Sequence, residues 1–462
     1  MISLIPETNR KELSRLLKIA GPLALYYLTE VAMGVTNMVI VGRLGSEELA
    51  AVGLAAGMQI EFILVCFGIL SMVSVLSSQS LGENNHKQVT TIVSQGFWVA
   101  GVLSLVAIVF GLNIPAIFEL TGQDPEVIRL ASDYVIWMAW FSPFALGFVV
   151  LRNFLVVISK PQVVLYFTIP ALGLNLFINY ALVLGKFGLP ELGVAGAGIG
   201  TTLVNCLMFL GLFSYVSVNT ECRHYHLFRS IRDFDYKVCK MIVSLGAPAG
   251  ISVFLEGGLF VVVGILMGTF GSDWLAANEI LFHLISITFV IAVAIGEAAS
   301  VRIAFNVGAA NLKMVQWNAL VAVVLGAIVM LFSASILWNI PHLIIALFID
   351  LELPENAQMI NIAVSLTAIA AVFQFFDGLQ AVSSWALRGL KDTLIPMWIA
   401  TCGYWLCGLG GGYMAAFVFN YGAEGIWWGM AAGLTVAGIL LSTRLYLMMR
   451  TDQLASRFNK EF

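Results

Sequence analysis

Twelve long apolar runs, each separated from the next by charged, Pro- or Gly-rich residues, set the pattern of this chain. A hydrocarbon core about 30 Å thick is crossed by roughly 20 residues of helix. The runs predict helices over 14–42, 48–80, 88–112, 127–151, 161–184, 193–217, 238–269, 274–305, 313–338, 357–385, 393–418 and 424–449. Runs that exceed this minimum imply tilt or extension beyond the hydrocarbon. The expected fold class is an all-α membrane protein with twelve transmembrane helices.

Composition points the same way. The 462 residues are 60% hydrophobic and 11% charged, with a mean hydropathy of +0.93. Soluble domains are about 25% charged, and a soluble surface this apolar would aggregate. The first fifteen residues, MISLIPETNRKELSR, are mixed polar and lack an apolar core with a cleavage site, so the first span itself is expected to direct insertion. The six cysteines show no metal-ligand spacing, and Cys402 and Cys407 read as helix filler and not as a redox pair. Gly410-Gly411-Gly412 has no following Lys-Ser/Thr, so close helix packing or a kink is a better reading than a phosphate loop.

Charge then orients the helices, because cytoplasmic loops retain Lys and Arg. Of the 23 basic residues, only Arg43, Arg129 and Lys186 fall on one set of helix ends. The other twenty, from Arg10 to Lys460, fall on the opposite set, while Glu47, Glu48, Asp124, Glu126, Asp273, Asp350, Glu352 and Glu355 collect with the three. Both termini are therefore expected in the cytoplasm. The longest basic link, ECRHYHLFRSIRDFDYKVCK from Glu221 to Lys240, falls after the sixth helix and divides the chain into halves of six.

Those halves repeat. A single fixed offset, without a gap, lays Pro22 on Pro248, Glu30 on Glu256, Gly45-Ser46 on Gly271-Ser272, Leu49-Ala50-Ala51 on Leu275-Ala276-Ala277, and Asn85 on Asn311. Six-span units enter the membrane from the same side, so the pseudo-two-fold axis is expected along the membrane normal, as in transporters built from parallel repeats. The domain organisation that follows is an N-terminal lobe over 1–220, a basic cytoplasmic linker over 221–240, a C-terminal lobe over 241–450 and a tail over 451–462.

The acids within the spans are Glu30, Glu61, Glu256, Glu279, Glu297 and Asp377. Charged groups at that depth are costly and normally face a cavity or a partner. Gln374, Asp377, Gln380 and Ser384 form one polar stripe on the tenth helix, and Glu279, His283, Ser286 and Glu297 line one face of the eighth. Glu30 and Asn37 share the first helix, and Asn175 and Asn179 are one turn apart in the fifth. Polar glue between packed helices accounts equally well for Asn175, Asn179 and Ser384. His283 reads as a hydrogen-bonded core residue, and Glu279 as a wet residue near the outer end. No Lys or Arg falls in a span centre, so a proton or sodium is the expected counter-ion of Glu256 and Asp377.

Four stretches carry a family likeness: MGVTNMVIVGRLGSEELAAVGLA in the first half, and LEGGLFVVVGILMGTFGSDWLAANEI, IGEAASVRIAFNVGA and the later FQFFDGLQAVSSWALRGLKDT in the second. They resemble the multidrug and toxic compound extrusion family, most closely its NorM-type bacterial branch, from about Leu13 to Tyr446. The resemblance implies two six-helix lobes and export of organic cations driven by inward movement of sodium or protons. It also implies a cation site in the C-terminal lobe at Glu256 and Asp377, and asparagines at 175 and 179 accompanying an N-lobe acid. The family's first-helix aspartate is here Asn37, an amide that ligates sodium but does not carry a proton, which favours sodium. Phe373 stands where relatives often have tyrosine, and Glu30 is the symmetry candidate for the missing N-lobe carboxylate.

The expectation is an antiporter and not an enzyme. It has no cofactor beyond the coupling ion, takes cationic small molecules, engages the bilayer but no nucleic acid, is a monomer, and resides in a bacterial inner membrane. A flippase for lipid-linked precursors and a cation channel are the alternatives.

Overall fold

A computed structural model describes residues 6–346, 348–349 and 353–450. The expectations for Asp350, Glu352, Arg457, Lys460 and the tail 451–462 lie outside them. The described chain has twelve helices long and apolar enough to cross a membrane. They are α1 (Glu7–Val41), α2 (Ser46–Gly82), α3 (His86–Leu112), α4 (Pro125–Val157), α5 (Gln162–Val183), α6 (Gly193–Val218), α7 (Tyr236–Gly268), α8 (Ser272–Gly308), α9 (Leu312–Asn339), α10 (Ala357–Gly389), α11 (Leu394–Val418) and α12 (Gly422–Met448). Each matches one predicted span. The largest difference is α1, which starts at Glu7 instead of residue 14. Its first turns are polar but gain a Glu7–Lys11 pair at 2.7 Å one turn apart.

The repeat is visible in backbone detail. The offset that lays Pro22 on Pro248 also lays both ends of α2 on those of α8, Ser46 on Ser272 and Gly82 on Gly308, and the start of α3 on that of α9. Asn84 and Ala310 are both left-handed, at φ 58° and 52°. The following residues, Asn85 and Asn311, cap the next helix by accepting from the backbone N–H of Gln88 and Met314 at 3.0 and 3.3 Å.

The chain packs as two compact units. One is Leu25–Gly250; the other joins the residues up to Ala24 with those from Ile251 onward. The two switch points obey the same offset, since Leu25 corresponds to Ile251. The start of α1 therefore packs among second-half helices and the start of α7 among first-half helices. The anchor for α1 is a buried carboxylate: Glu12 Oε1 accepts from Arg302 Nε and Nη2 at 2.8 and 2.6 Å, and from the side-chain amides of Asn306 and Asn318 at 3.1 Å each.

In the same unit, α11 departs from regular geometry. Wider π turns run over Cys402–Gly410 and Met414–Val418, a distortion that re-aims side chains and recurs at functional positions. The Gly410–412 run lies along this distorted helix. A β-carbon added at Gly429 of α12 would overlap the backbone nitrogen and Cα of Gly412 and come within 2.8 Å of the Gly408 carbonyl. This is the close packing that the sequence suggests. Gly429→Ala is expected to lower stability by about 1–3 kcal/mol through overpacking, read as a lower thermal midpoint in detergent. An unchanged midpoint would show that the two helices have room to part.

Candidate cation site

In the unit that contains α8 to α12, the polar stripe of α10 is buried: Gln374, Asp377, Gln380 and Ser384 are each at most 9% exposed. Its middle two members meet α7. The Gln380 amide donates to Glu256 Oε1 and to Asp377 Oδ1, both at 3.3 Å, so two carboxylates share one donor. Gln380 is in turn oriented by α11, because the Tyr404 hydroxyl donates to its Oε1 at 2.7 Å. Tyr404 is 1% exposed and is brought to Gln380 from the first π stretch. Sequence reasoning misses this hydroxyl. Phe373 is indeed buried without a polar group, edge-on to Trp427 at 5.7 Å, and Tyr404 supplies a hydroxyl from a different helix. Gln374 turns away, donating to Thr288 and to Ser333 Oγ.

The Leu25–Gly250 unit holds the asparagines. Asn179 donates to Asn37 Oδ1 at 3.0 Å and to the Asn175 carbonyl at 2.9 Å. The side-chain oxygens of Asn175 and Asn179 are buried and accept no hydrogen bond among the described residues. Buried acceptors are rarely left this way, and amide oxygens are the kind of ligand a hard cation takes. Gly200 makes room for them, since a β-carbon there would overlap Asn179 Oδ1.

Although no Lys or Arg falls in a span centre, a basic group near a helix end acts on Glu30. Arg152 is 3% exposed and acts electrostatically on Glu30, which also hydrogen-bonds Tyr26. The Arg152 guanidinium lies 5.0 and 5.4 Å from the rings of Tyr26 and Tyr27 and donates to the Tyr27 hydroxyl at 3.2 Å. The sequence puts Arg152 at a helix end; α4 continues to Val157 and carries it inside. Glu30 and Glu256 occupy equivalent positions in the repeat, Glu30 in the field of Arg152 and Glu256 accepting from the Gln380 amide.

The remaining candidates are dispersed. Glu61 is half-buried on α2, and its Oε1 has no hydrogen-bond partner among the described residues. Glu279 and His283 are exposed near the start of α8, so His283 is not the core residue its setting suggests. Asn278 donates to Glu279 at 3.4 Å, and the His283 carbonyl accepts from Ser286. Glu297 is buried further along the same helix. No group of three or more His, Cys, Asp or Glu able to hold a metal occurs among the described residues.

The helices and the buried carboxylates they enclose define a polytopic, all-helical membrane protein built from a six-span repeat. The MatE family model matches residues 22–181 and 248–414, one stretch in each half. The chain belongs to the MatE family, multidrug and toxic compound extrusion. It is 34% identical to the probable multidrug resistance protein NorM of Mesorhizobium japonicum, over 96% of this chain and 95% of that protein. It is 35% identical to the multidrug resistance protein NorM of Burkholderia vietnamiensis, over 93% of each. Among solved structures, the eukaryotic MATE transporter AtDTX14 superposes with a TM-score of 0.85 at 21% identity, covering 98% of this chain and all of that one. An outward-facing MATE family transporter of the MOP superfamily gives 0.83 at 17%, over 96% of both chains.

Proposed function

We propose that this protein is a multidrug efflux antiporter of a bacterial inner membrane, exporting cationic amphipathic compounds against inward movement of sodium, with both termini cytoplasmic and the monomer as the working unit. The observation that carries the reading is the pair of carboxylates, Glu256 and Asp377, joined by the single amide of Gln380. Two carboxylates that share one amide donor concentrate negative charge where a cation can join them, and an ion and a cationic substrate that compete for that charge are thermodynamically linked. The NorM names of the relatives and the parallel six-span repeat support efflux by alternating access. The buried acceptor oxygens of Asn175 and Asn179 support a second sodium-binding position beside Asn37.

The test is ethidium efflux from reconstituted vesicles with one gradient imposed at a time. Efflux is expected to follow a sodium gradient and to stay at the protein-free level under a proton gradient in sodium-free buffer. Proton-driven efflux without sodium would replace the sodium assignment with a proton one. Absence of efflux under both gradients, with transport of a lipid-linked anion instead, would overturn the antiporter reading.

The Asn37 cluster gives a sharper version of the same test. Gly200→Ala forces the Asn179 amide to move, and sodium affinity measured by calorimetry is expected to fall roughly tenfold to a hundredfold, the range seen when groups that position a cation's ligands are disturbed. Unchanged affinity would remove Asn179 from the sodium position.

A further inference from the structure

The longest basic link of the chain is not used by the antiport reading, and it borders a cavity of about 1090 Å³ against the starts of α3 and α7. We propose that this cavity binds the phosphodiester headgroup of an anionic phospholipid. The link is held in place by α3. Thr90 donates to the Tyr225 carbonyl at 2.7 Å, Ser94 to Leu227 at 2.9 Å, Gln95 to Asp233 at 2.8 Å and the Trp98 indole to Ile231 at 2.8 Å. Residues 90, 94 and 98 recur at one-turn spacing, so a single helix face fixes the backbone of the link. The wall that the link forms is thus held in place by α3.

The lining side chains include two lysines and several hydrogen-bond donors. Lys87 and Lys237 line the cavity together with His86, His224 and His226, three of the five histidines in the chain. His86 Nδ1 lies 3.3 Å from the Tyr225 hydroxyl, which leaves its other ring nitrogen for a ligand. Two acids also line it, Asp233 and Asp235. Asp235 Oδ1 is committed to the start of α7, accepting from the backbone N–H of Lys237 and Val238 at 2.9 and 3.3 Å. Ammonium groups bind phosphate as point charges, and imidazole N–H groups add donors.

A soluble phosphate would use this charge but not the apolar surface beside it. Trp98 and Phe234 are 44% and 59% exposed and stand edge-to-face at 5.6 Å. Trp98 stands in α3 where the link packs against that helix, and Phe234 lies in the link itself; exposed aromatics beside a polar surface settle at headgroup depth, and basic pockets at membrane helices take phospholipid headgroups. The lysine and imidazole donors together with the aromatic pair select a lipid source of the phosphate.

The experiment uses the full-length protein in nanodiscs of phosphatidylcholine mixed with phosphatidylglycerol, released and weighed by native mass spectrometry. Phosphatidylglycerol is expected to be retained in preference to phosphatidylcholine. Retention is expected to fall roughly tenfold or more in Lys87→Gln/Lys237→Gln, the scale set by two basic residues near an anionic surface. Phe234→Ala, a surface change that leaves the basic residues in place, is expected to reduce it as well, while Lys186→Gln, on the opposite set of helix ends, leaves it unchanged. Equal retention by the double variant and the parent overturns the site. Displacement of phosphatidylglycerol by inorganic phosphate, with Phe234→Ala indifferent, overturns the lipid assignment in favour of a soluble anion.

Discussion

Ethidium efflux driven by sodium is expected to fall to the protein-free level when Glu256→Gln and Asp377→Asn are combined, with the twelve-helix fold retained. Each substitution removes a charge while keeping a polar side chain of nearly the same shape. Efflux at the parental rate would sink the assignment of the coupling ion to these acids. The Gln380 and Tyr404 variants separate charge from geometry. Gln380→Ala keeps both carboxylates but deletes their shared donor, and sodium affinity is expected to fall roughly tenfold to a hundredfold. Tyr404→Phe is expected to act in the opposite direction. The Tyr404 hydroxyl holds Gln380 Oε1 away from the acids, so losing it leaves a buried acceptor unsatisfied, a penalty of about 1–3 kcal/mol. That penalty disappears when the amide turns and offers Oε1 to a bound cation. Sodium should therefore bind more tightly to Tyr404→Phe, by roughly fivefold to a hundredfold for that range of energy. Calorimetry that shows weaker binding in Tyr404→Phe would mean that the hydroxyl itself helps to hold the ion.

The two halves of this cluster differ in how far they can be read from sequence. Asp377 and Gln380 are three residues apart on one helix, so helical spacing alone places them on a common face. The helices themselves are legible for a similar reason, since the length and apolarity of each run are local properties. Glu256 and Tyr404 come from α7 and α11, and their approach to α10 is decided by packing between distant segments. Tyr404 is further hidden because regular helical spacing does not apply across the π turns at Cys402–Gly410. Arg152 illustrates the sensitivity to boundaries. A modest extension of the fourth helix, to Val157 instead of residue 151, moves this guanidinium from a loop to the neighbourhood of Glu30. The internal repeat pairs Glu30 with Glu256 by position, but symmetry of backbone does not fix the side chains that face each copy.

The Glu12 network is invisible for a third reason: Glu12 lies in a polar opening segment that looks solvated, and its partner Arg302 is 290 residues away. In the folded protein Glu12, Arg302, Asn306 and Asn318 are all at most 6% exposed. Each asparagine is already oriented, because its amide also donates to a carbonyl one turn earlier in its own helix, Asn306 to Arg302 and Asn318 to Met314, both at 2.8 Å. The carboxylate thus enters a preformed set of donors. Glu12→Ala would leave a buried guanidinium and two amide N–H groups without their acceptor, and removing one member of a buried ion pair lowers stability by about 3–5 kcal/mol. Loss of both charges is milder, because no buried ion is left uncompensated. Glu12→Leu combined with Arg302→Met is therefore expected to be more stable than Glu12→Ala alone. Arg15, which reaches the second Glu12 oxygen at 3.3 Å with a side chain 62% exposed, should be replaceable by Ala with little effect, as exposed ion pairs contribute little. Thermal unfolding of the four proteins in the same detergent checks the order. A Glu12→Ala midpoint equal to that of the parent would show that the carboxylate is not what holds the start of α1 against α8 and α9.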